Sequence, residues 1–416
     1  MPSFSVPLSG LNASSQELTV ISNNLANLNT PGFKSSSTEF TTLFYQMLGD
    51  AGNGNPMQVG TGSQVGSMSM DMTDGAVQST GIPSNMAIQG GGMFVVNKNG
   101  QQMYTRAGDF TVNSGGLLTA PDGSLVQGYQ AVNGVMNPNS PIGDLNLSDT
   151  LTNPPRSTAN VTMSLNLDSQ TAVGGTFSQP LQVYDSLGGT HTLSATFTKT
   201  GTNAWSYVVT LPGADTGSAT PTTMASGNMT FDSSGNLIPT NGSNPPNQTI
   251  TLSSGALTDG GAALNMGWQL FTPQGSSMLT QVAGASAPLG TTQDGIASGN
   301  LVSFNIESDG VVTGSFNNGQ TATLGQVVLA NFANMQGLEA TGGNNFVSTA
   351  ASGLPTIGVP GSGSLGAVQG GSIEQSNVDI AAQFANLIEA QQSYEASAKT
   401  VTTFDQVTQD TLNMQQ

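Results

Sequence analysis

The sequence predicts a mainly β protein with α-helical termini, in which two nested β-domains lie between a coiled-coil-like pair of terminal helices. Three observations support this fold class. Both ends of the chain repeat apolar residues at alternating spacings of three and four, which marks one face of a helix. The interior alternates apolar and polar residues over short runs between turn residues, as β-strands do. The 416 residues include 54 glycines, so tight turns are expected to be frequent.

The two ends are assigned to one terminal helical domain, residues 1–30 and 376–416. The first helix is predicted from about Pro7 to Asn27, because Pro31 and Gly32 stop a helix and turn the backbone. Periodicity alone is equally compatible with a hairpin inside one subunit and with an interface between copies. The apolar stripes that would make the helical contacts are Leu11, Leu18, Ile21, Leu25 and Leu28 in the first helix, and Ile380, Phe384, Leu387, Tyr394, Val401 and Leu412 in the last.

Residues 31–74 are predicted to be an extended linker. A short apolar run extends from Phe40 to Leu48, but the stretch from Gly49 to Gly66 has little to bury. The sequence therefore predicts at most a short helix between residues 33 and 74.

A first, discontinuous β-domain is predicted over residues 75–158 and 292–375. Asn99-Gly100, Gly115-Gly116 and Asp122-Gly123 are hairpin signals within it. The predicted strands are Met86–Gln89, Met93–Asn97, Gln102–Arg106, Phe110–Asn113, Leu117–Thr119 and Leu125–Tyr129 before the interruption, and Leu301–Ile306, Val311–Phe316, Thr321–Leu324 and Val327–Asn331 after it.

An inserted outer β-domain is predicted over residues 159–291. Apolar and polar residues alternate clearly in Leu181–Tyr184, Thr192–Thr198 and Trp205–Leu211. Polar stretches that contain proline, residues 153–158 and 283–292, bound the region. These bounds indicate an insertion into the first β-domain.

Composition excludes several classes of partner. Six Lys and Arg residues against 24 Asp and Glu residues give a net charge of −18. A chain so poor in cations neutralises few phosphates, so neither nucleic acid nor an anionic membrane surface is an expected partner. No stretch approaches the roughly 20 consecutive apolar residues of a transmembrane helix, so no membrane insertion is expected. The first ten positions lack the basic and apolar regions of a cleaved signal peptide.

The sequence predicts no catalytic, cofactor-binding or metal site. Cysteine is absent, which excludes disulfides and thiolate chemistry. The sole histidine, His191, has no acid and nucleophile at a recognisable spacing, and we interpret it as structural. The Asp-Gly pairs that begin at positions 74, 122, 294 and 309 are turn formers, because a calcium loop needs several oxygen ligands at alternate positions. Neither an enzyme nor a cofactor is expected.

The terminal motifs resemble those of the bacterial flagellar rod and hook axial proteins. The resemblance covers both ends and both β-regions and is weakest in the inserted domain. Gln392 stands where that family usually has a basic residue, so a salt bridge from this position is not expected. The matching motif residues are Asn24, Ala26, Asn27, Asn29, Thr30, Gly32, Phe33 and Lys34 near the N-terminus, and Ser376, Asn377, Asp379, Glu395 and Ala396 near the C-terminus.

Three interior motifs favour the hook members of this family over the rod members: residues 183–188, 317–321 and 330–338. Rod members are shorter and generally lack a large insertion. The resemblance implies a structural subunit that polymerises into a curved, flexible tube, couples the rod to the filament and transmits motor torque. A distal rod protein is the alternative within the family, and a secreted β-rich adhesin is a less favoured alternative outside it.

The resemblance also implies partners and a location. The terminal helices would form the inner layers of a helical homopolymer, with the apolar stripes as axial contacts. Other implied partners are the distal rod protein, the hook cap, the hook–filament junction proteins and the flagellar export apparatus. The implied location is the hook of the flagellum, outside the cell at the basal body, reached without a cleaved signal peptide. Residues 34–74 are the candidate hinge between layers.

Overall fold

The structure is a computed structural model that describes residues 5–50, 56–132, 134–137, 140–147, 152–239 and 249–414. The chain divides into two compact units. Unit 1 comprises Met1–Thr150, Ser303–Gly314 and Ala322–Gln416, and unit 2 comprises Leu151–Val302 and Ser315–Thr321. Unit 1 therefore contains both ends of the chain.

The described α-helices are α1 (Ser5–Ala26), the single-turn α2 (Gly213–Thr216) and α3 (Ile380–Asn413), and a 3-10 turn spans Met335–Gly337. The predicted end of the first helix before Pro31 is confirmed. Asp379 begins α3 as its N-cap, since its carboxylate accepts hydrogen bonds from the backbone N–H groups of Ala381 and Ala382. With a rise of 1.5 Å per residue, the 34 residues of α3 extend about 51 Å.

The strands fall into three consecutive groups along the chain. Before the insertion they are β1 (Ser36–Thr42), β2 (Tyr45–Asp50), β3 (Pro56–Gly60), β4 (Ser63–Met70), β5 (Val77–Ser79), β6 (Met86–Gln89), β7 (Met93–Lys98), β8 (Gln101–Thr105), β9 (Thr111–Val112), β10 (Leu118–Thr119), β11 (Leu125–Gln130) and β12 (Gly143–Asp144). The next are β13 (Thr152–Asn153), β14 (Asn160–Asn166), β15 (Thr176–Tyr184), β16 (Thr190–Gly201), β17 (Ala204–Leu211), β18 (Thr222–Thr230), β19 (Thr249–Ser253), β20 (Asn265–Gln269), β21 (Leu279–Thr280) and β22 (Ala287–Gln293). The last are β23 (Gly299–Ile306), β24 (Val311–Phe316), β25 (Thr321–Val327), β26 (Leu329–Asn331), β27 (Glu339–Gly342), β28 (Asn345–Val347), β29 (Thr356–Gly358), β30 (Ala367–Gly370) and β31 (Ser372–Glu374).

The prediction of an extended linker with at most a short helix is wrong for much of residues 31–74. β1 pairs antiparallel with β4, and β2 pairs antiparallel with β3. This ladder lies beside α1, where the Ser9 hydroxyl accepts a hydrogen bond from the Ser63 backbone N–H at 3.2 Å. The strands are rich in Ser and Thr and mostly exposed, so their sequence has no apolar alternation to reveal them.

The β-part of unit 1 is built on a mostly antiparallel sheet in the order β25-β11-β7-β8-β28-β27. The predicted hairpin at Asn99-Gly100 is confirmed: both residues have positive φ angles, 54° and 85°, as a tight type I′ turn requires. Two short strands tie the chain segment before α3 to this part, since β30 pairs with β6 and β31 pairs with β5. One buried cluster includes Met93, Val95, Tyr104, Val328, Ala330, Phe332, Leu338 and Phe346.

Unit 2 contains two sheets whose inner faces share one apolar core. One sheet has the order β15-β16-β17-β18, and the other has the order β19-β20-β14-β21 with β22 also on β14. Burial alternates along β14, β16 and β17, which is the period-two pattern predicted from the sequence. Trp205 and Trp268, the two tryptophans of the chain, are both fully buried in this core.

Candidate functional site

The terminal helices α1 and α3 pack antiparallel within unit 1. The Asn24 side-chain amide donates to Gln383 Oε1 at 3.2 Å, near one end of the pair. Near the other end, a Cβ on Gly10 would lie 3.2 Å from Ser397 Oγ. The predicted association of the two ends of the chain is therefore present within a single subunit.

The helix pair buries small and polar groups more than large apolar ones. Ile21 is buried together with smaller or polar residues of the two helices, namely Ala13, Ser14, Asn24 and Ala390. Burial raises the pKa of the Glu17 carboxyl above its usual range, and the negative charge of nearby Glu389 raises it further. Of the predicted contact residues, the partly buried ones are Leu11, Leu18, Leu25, Leu28, Leu387 and Val401.

Other residues of the predicted α3 stripe do not face α1. Ile380 and Phe384 are 47% and 52% exposed, and Ile388 one turn further is 55% exposed. Tyr394 and Leu412 are exposed too. We call Ile380, Phe384 and Ile388 the outer stripe. The seam toward α1 instead runs through Gln383, Leu387, Ala390 and Ser397, because a single partner helix covers only one face of α3.

The last turns of α3 extend past the described end of α1. Asn24 lies opposite Gln383 and Gly10 lies opposite Ser397. The same offset places Ser5 opposite roughly residue 402, since both helices rise by equal amounts per residue. About three turns of α3 therefore have no α1 residue opposite them in the described part of the chain. Val407 and Leu412 in these turns are 48% and 60% exposed.

A buried ion network anchors both helices to the β-part of unit 1. Glu374 is fully buried, and its carboxylate lies 2.8 Å from Lys34 Nζ and 2.5 Å from Arg106 Nε. Arg106 also contacts Asp74 at 2.6 Å and donates to the carbonyl oxygens of residues 88, 90 and 92. The chain has six Lys and Arg residues, and two of them are buried here.

We call Lys34, Asp74, Arg106 and Glu374 the anchor network. Lys34 follows the turn after α1, whereas Glu374 ends the strand that precedes α3. Because buried charges are stable only when paired and hydrogen-bonded, the network holds these segments in one register. Lys34 was predicted as a motif residue, but the sequence indicated no role for its side chain. Asp74 was predicted only as a turn former, and the ion pairs of Arg106 and Glu374 were not predicted, since nothing in a sequence pattern indicates which distant charges meet.

Gly32 makes the close approach that the anchor network needs. Its φ is +66°, and a Cβ at this position would lie 2.4 Å from the backbone nitrogen of Ala107. Its own N–H donates to the carbonyl oxygen of Glu374 at 2.8 Å. Glycine avoids both the left-handed backbone penalty and the overlap, so this motif glycine fixes the turn against the β-part.

Side-chain amides tie the helices to neighbouring backbone. Asn24 Nδ2 donates to the Ser36 carbonyl at 2.8 Å, and Asn24 Oδ1 accepts from the Ser36 N–H at 3.0 Å. Asn377 accepts from the Ser35 N–H and donates to the Asp71 carbonyl, both at 2.8 Å. The two bonds between Asn24 and Ser36 mimic a strand pairing, and both side chains satisfy backbone groups around the ends of the helices.

The remaining motif residues make local contacts or lie at the surface. Asn27 donates to the Asn23 carbonyl and accepts from the Thr30 hydroxyl. Phe33 is half-buried and donates its N–H to the Thr30 carbonyl, and Ser376 accepts from the Val378 N–H. The exposed ones are Ala26, Asn29, Glu395 and Ala396. Among the described residues, none of the helices has both the length and the apolar character needed to cross a bilayer.

Four protein-family models match successive parts of the chain. Residues 5–34 match the model described as flagella basal body rod protein, and residues 87–166 match the flagellar hook protein FlgE/F/G D1 domain. Residues 146–296 match the flagellar basal body protein FlaE D2 domain, and residues 369–414 match the C-terminal part of the flagellar basal body rod FlgEFG proteins.

Three curated relatives are similar over nearly the whole chain. The flagellar hook protein FlgE of Salmonella typhimurium is 34% identical over 99% of this chain and 100% of its own length. The flagellar hook protein FlgE of Escherichia coli is 33% identical over 99% of each chain. The flagellar hook protein FlgE of Borreliella burgdorferi is 32% identical over 98% of each chain.

Proposed function

The chain belongs to the family of the flagellar hook protein FlgE, and on that premise we propose that it assembles through its terminal helices into the tube of the hook. It is a structural subunit of the flagellar hook. The observation that carries the assembly proposal is the outer stripe: Ile380, Phe384 and Ile388 are about half exposed on one side of α3.

The outer stripe is a surface suited to a second copy of the same chain. Three large apolar side chains at spacings of four form a continuous ridge on a helix. Such ridges bind by removing apolar area from water, and burying one phenylalanine contributes about 1.5–3 kcal/mol. A contact between different patches of identical subunits builds an open helical filament when its rotation does not close into a ring.

The overhanging end of α3 supports the same proposal. Among the described residues, α1 ends before it comes opposite residues 407–413, so α1 does not cover the apolar side chains of those turns. Val407 and Leu412 are exposed there. We propose that neighbouring subunits cover these turns, so that the terminal helices become the inner layer of the tube. The other predicted axial contacts that keep exposed surface are proposed to take part with the outer stripe: Leu11, Leu18, Leu25, Leu28, Leu387, Tyr394 and Val401. Ile21 is buried within the subunit.

The finer features of this function are also proposals. The tube is curved and flexible, couples rod to filament and transmits torque, and weakly charged surfaces favour such bending because sliding contacts break few specific ion pairs. The distal rod protein, the hook cap, the hook–filament junction proteins and the flagellar export apparatus are the proposed partners outside the tube itself. The proposed location is outside the cell, residues 159–291 are the proposed outer domain, and no catalytic role is proposed.

Substitution in the outer stripe tests the assembly proposal. Phe384→Asp removes one buried aromatic ring from each contact, so we expect the critical concentration for tube formation to rise at least about tenfold. Sedimentation of polymer at a series of protein concentrations measures this value. The matched control is Leu289→Asp, which changes an apolar residue of unit 2 that is 73% exposed. Equal effects of the two variants, or none from Phe384→Asp, would contradict the proposal.

A further inference from the structure

The sole histidine of the chain is enclosed by three carboxylates in unit 2. His191 Nε2 lies 3.4 Å from Asp185 Oδ2 and 3.5 Å from Asp259 Oδ2, and Nδ1 lies 3.0 Å from Asp215 Oδ2. Asp185 follows β15, and His191 lies in β16. Asp215 lies in α2, and Asp259 lies between β19 and β20. Folding brings these four segments together, so no sequence spacing indicates the cluster.

The His191 ring is buried without a good hydrogen bond. Its exposed fraction is 6%, and Nδ1 has Asp215 Oδ2 at 3.0 Å without a hydrogen bond of good geometry. The contacts of Nε2 at 3.4 and 3.5 Å are longer than ordinary N–H···O hydrogen bonds. Most buried side-chain nitrogens are hydrogen-bonded. The His191 ring is instead aimed at three carboxylates, and its one hydrogen bond, to Asp185, is long.

The cluster carries more negative charge than its own residues neutralise. Asp185 is fully buried, and a Cβ on Gly189 would lie 2.9 Å from Asp185 Oδ2 and 3.1 Å from Asp259 Oδ2. The two carboxylates therefore face the same small space, and both would attract a cation placed in it. The described residues include all six Lys and Arg side chains, and none of them pairs with this cluster. Lys34 and Arg106 belong to the anchor network, Lys98 pairs with Asp122, Arg156 donates to the Asp294 carbonyl, Lys199 donates to the Ser169 carbonyl, and Lys399 lies on α3.

The donor atoms have the spacing of metal ligands. One atom each from Asp185, His191 and Asp259 lies within 4.8 Å of the others. Separations of 3.4 and 3.5 Å are close to the roughly 3.3 Å edge of a tetrahedron with metal–ligand bonds of about 2.0 Å. One imidazole and two carboxylates suit zinc or another first-row divalent ion, whereas calcium prefers oxygen ligands alone.

We propose that Asp185 Oδ2, His191 Nε2 and Asp259 Oδ2 bind one divalent transition-metal ion. Asp215 takes the place of the carboxylate that commonly orients a ligating imidazole through its other nitrogen. Asp259 is exposed and offers the route by which the ion enters. The ion ties together the turn after β15 and the loop before β20, and so stiffens unit 2. This proposal replaces the expectation of no metal site drawn from the sequence.

Zinc titration of the full chain tests the site. The protein is purified without a polyhistidine tag and stripped with a chelator, so that His191 is the only imidazole present. Calorimetry is expected to find one zinc ion per chain. Thermal unfolding followed by tryptophan fluorescence reports on unit 2, which contains Trp205 and Trp268, and its midpoint is expected to rise with zinc. If one calcium ion bound per chain and zinc did not bind, the assignment of His191 as a ligand would be wrong.

Variants test whether zinc binds to these three residues or to the acidic surface in general. Asp259→Asn changes an exposed residue and is expected to weaken zinc binding at least about tenfold, and His191→Gln is expected to do the same. Asp215→Asn is expected to weaken it by about 10- to 100-fold through the orientation of the ring. The matched control is Asp168→Asn, since Asp168, like Asp259, accepts a backbone N–H from two residues later. Unchanged affinity in Asp259→Asn, or equal loss in Asp168→Asn, overturns the proposal.

Discussion

Lys34 and Glu374 form a buried ion pair at 2.8 Å although 340 positions separate them in the chain. The pair joins the turn after α1 to the strand before α3. Arg106 binds the second carboxylate oxygen of Glu374, so three distant segments share one carboxylate. The end of α1 and the start of α3 are therefore tied to a common, fixed point in unit 1.

Replacing Glu374 by Gln should destabilise unit 1 strongly. The variant leaves Lys34 and Arg106 buried with less counter-charge, and breaking a buried pair in this way costs about 3–5 kcal/mol. Denaturant unfolding followed by circular dichroism at 222 nm measures the loss. Tryptophan fluorescence should change little, because both tryptophans lie in unit 2.

The control for this variant is Lys98→Met. Lys98 pairs with Asp122 at 3.0 Å, but its side chain is 43% exposed, so its removal should cost less than about 1 kcal/mol. If Glu374→Gln were as mild as Lys98→Met, the anchor network would not hold unit 1 together.

Gly32→Ala should destabilise unit 1 by more than backbone strain alone explains. The left-handed conformation costs an L-residue about 1–2 kcal/mol, and the new Cβ would also overlap the Ala107 backbone. Gly100→Ala is the matched comparison, since Gly100 has a φ of +85° with no atom within 4 Å of the added Cβ. We expect Gly32→Ala to lower the unfolding free energy further than Gly100→Ala in the same denaturation assay. Equal losses would show that the close approach at Gly32 contributes nothing.

Glu17→Gln should stabilise the helix pair at neutral pH. The pKa of Glu17 is raised from 4.5 by burial and by Glu389, so the protonated carboxyl favours the folded state. That contribution is fully present below pH 4.5 and is lost as the pH rises through the folded pKa. The variant should therefore be more stable than the natural chain at pH 7, by less than about 1 kcal/mol, and equal to it near pH 4.

Helix unfolding at 222 nm as a function of denaturant, measured at both pH values, tests the Glu17 prediction. Glu395→Gln, which replaces an exposed carboxylate on α3, is the control for the loss of one negative charge from the helix pair. A stabilisation by Glu17→Gln that is larger at pH 4 than at pH 7 would reverse the assigned sign.

Asp379→Ala should loosen the first turn of α3. The Asp379 carboxylate accepts two backbone N–H groups, and the loss of such a cap costs about 1 kcal/mol. Hydrogen exchange of residues 380–384 should become faster, and tube formation should require more protein because Ile380 and Phe384 lie in that turn. Asp379→Asn keeps an acceptor and should behave nearly as the natural chain does. If hydrogen exchange of residues 380–384 were unchanged in Asp379→Ala, the Asp379 cap would not stabilise the first turn of α3.

The sequence predicted the elements whose residues show a period. Met86–Gln89 and Val311–Phe316 were predicted with the bounds that the structure has, because apolar side chains there alternate or cluster between turns. The ladder from Ser36 to Met70 was missed. Its strands are exposed and polar, and contacts such as that between Asn24 and Ser36 hold them beside α1. Such tertiary contacts leave no local pattern.

The candidate site was also predictable only where its residues show a period. Periodicity identified the terminal stripes, but it could not decide which of Gln383 and Phe384 faces α1. The structure places the polar residue inside and leaves the aromatic one exposed. The partners of Glu374 and of His191 come from distant segments, so only the folded chain reveals them.

Electron cryo-microscopy of the concentrated, purified chain tests the central claim most directly. We expect curved tubes in which α1 and α3 form the inner wall, with Phe384 and Ile388 buried against a neighbouring subunit. Subunits that stay monomeric under assembly conditions, or tubes in which these two side chains remain exposed to solvent, would contradict the account.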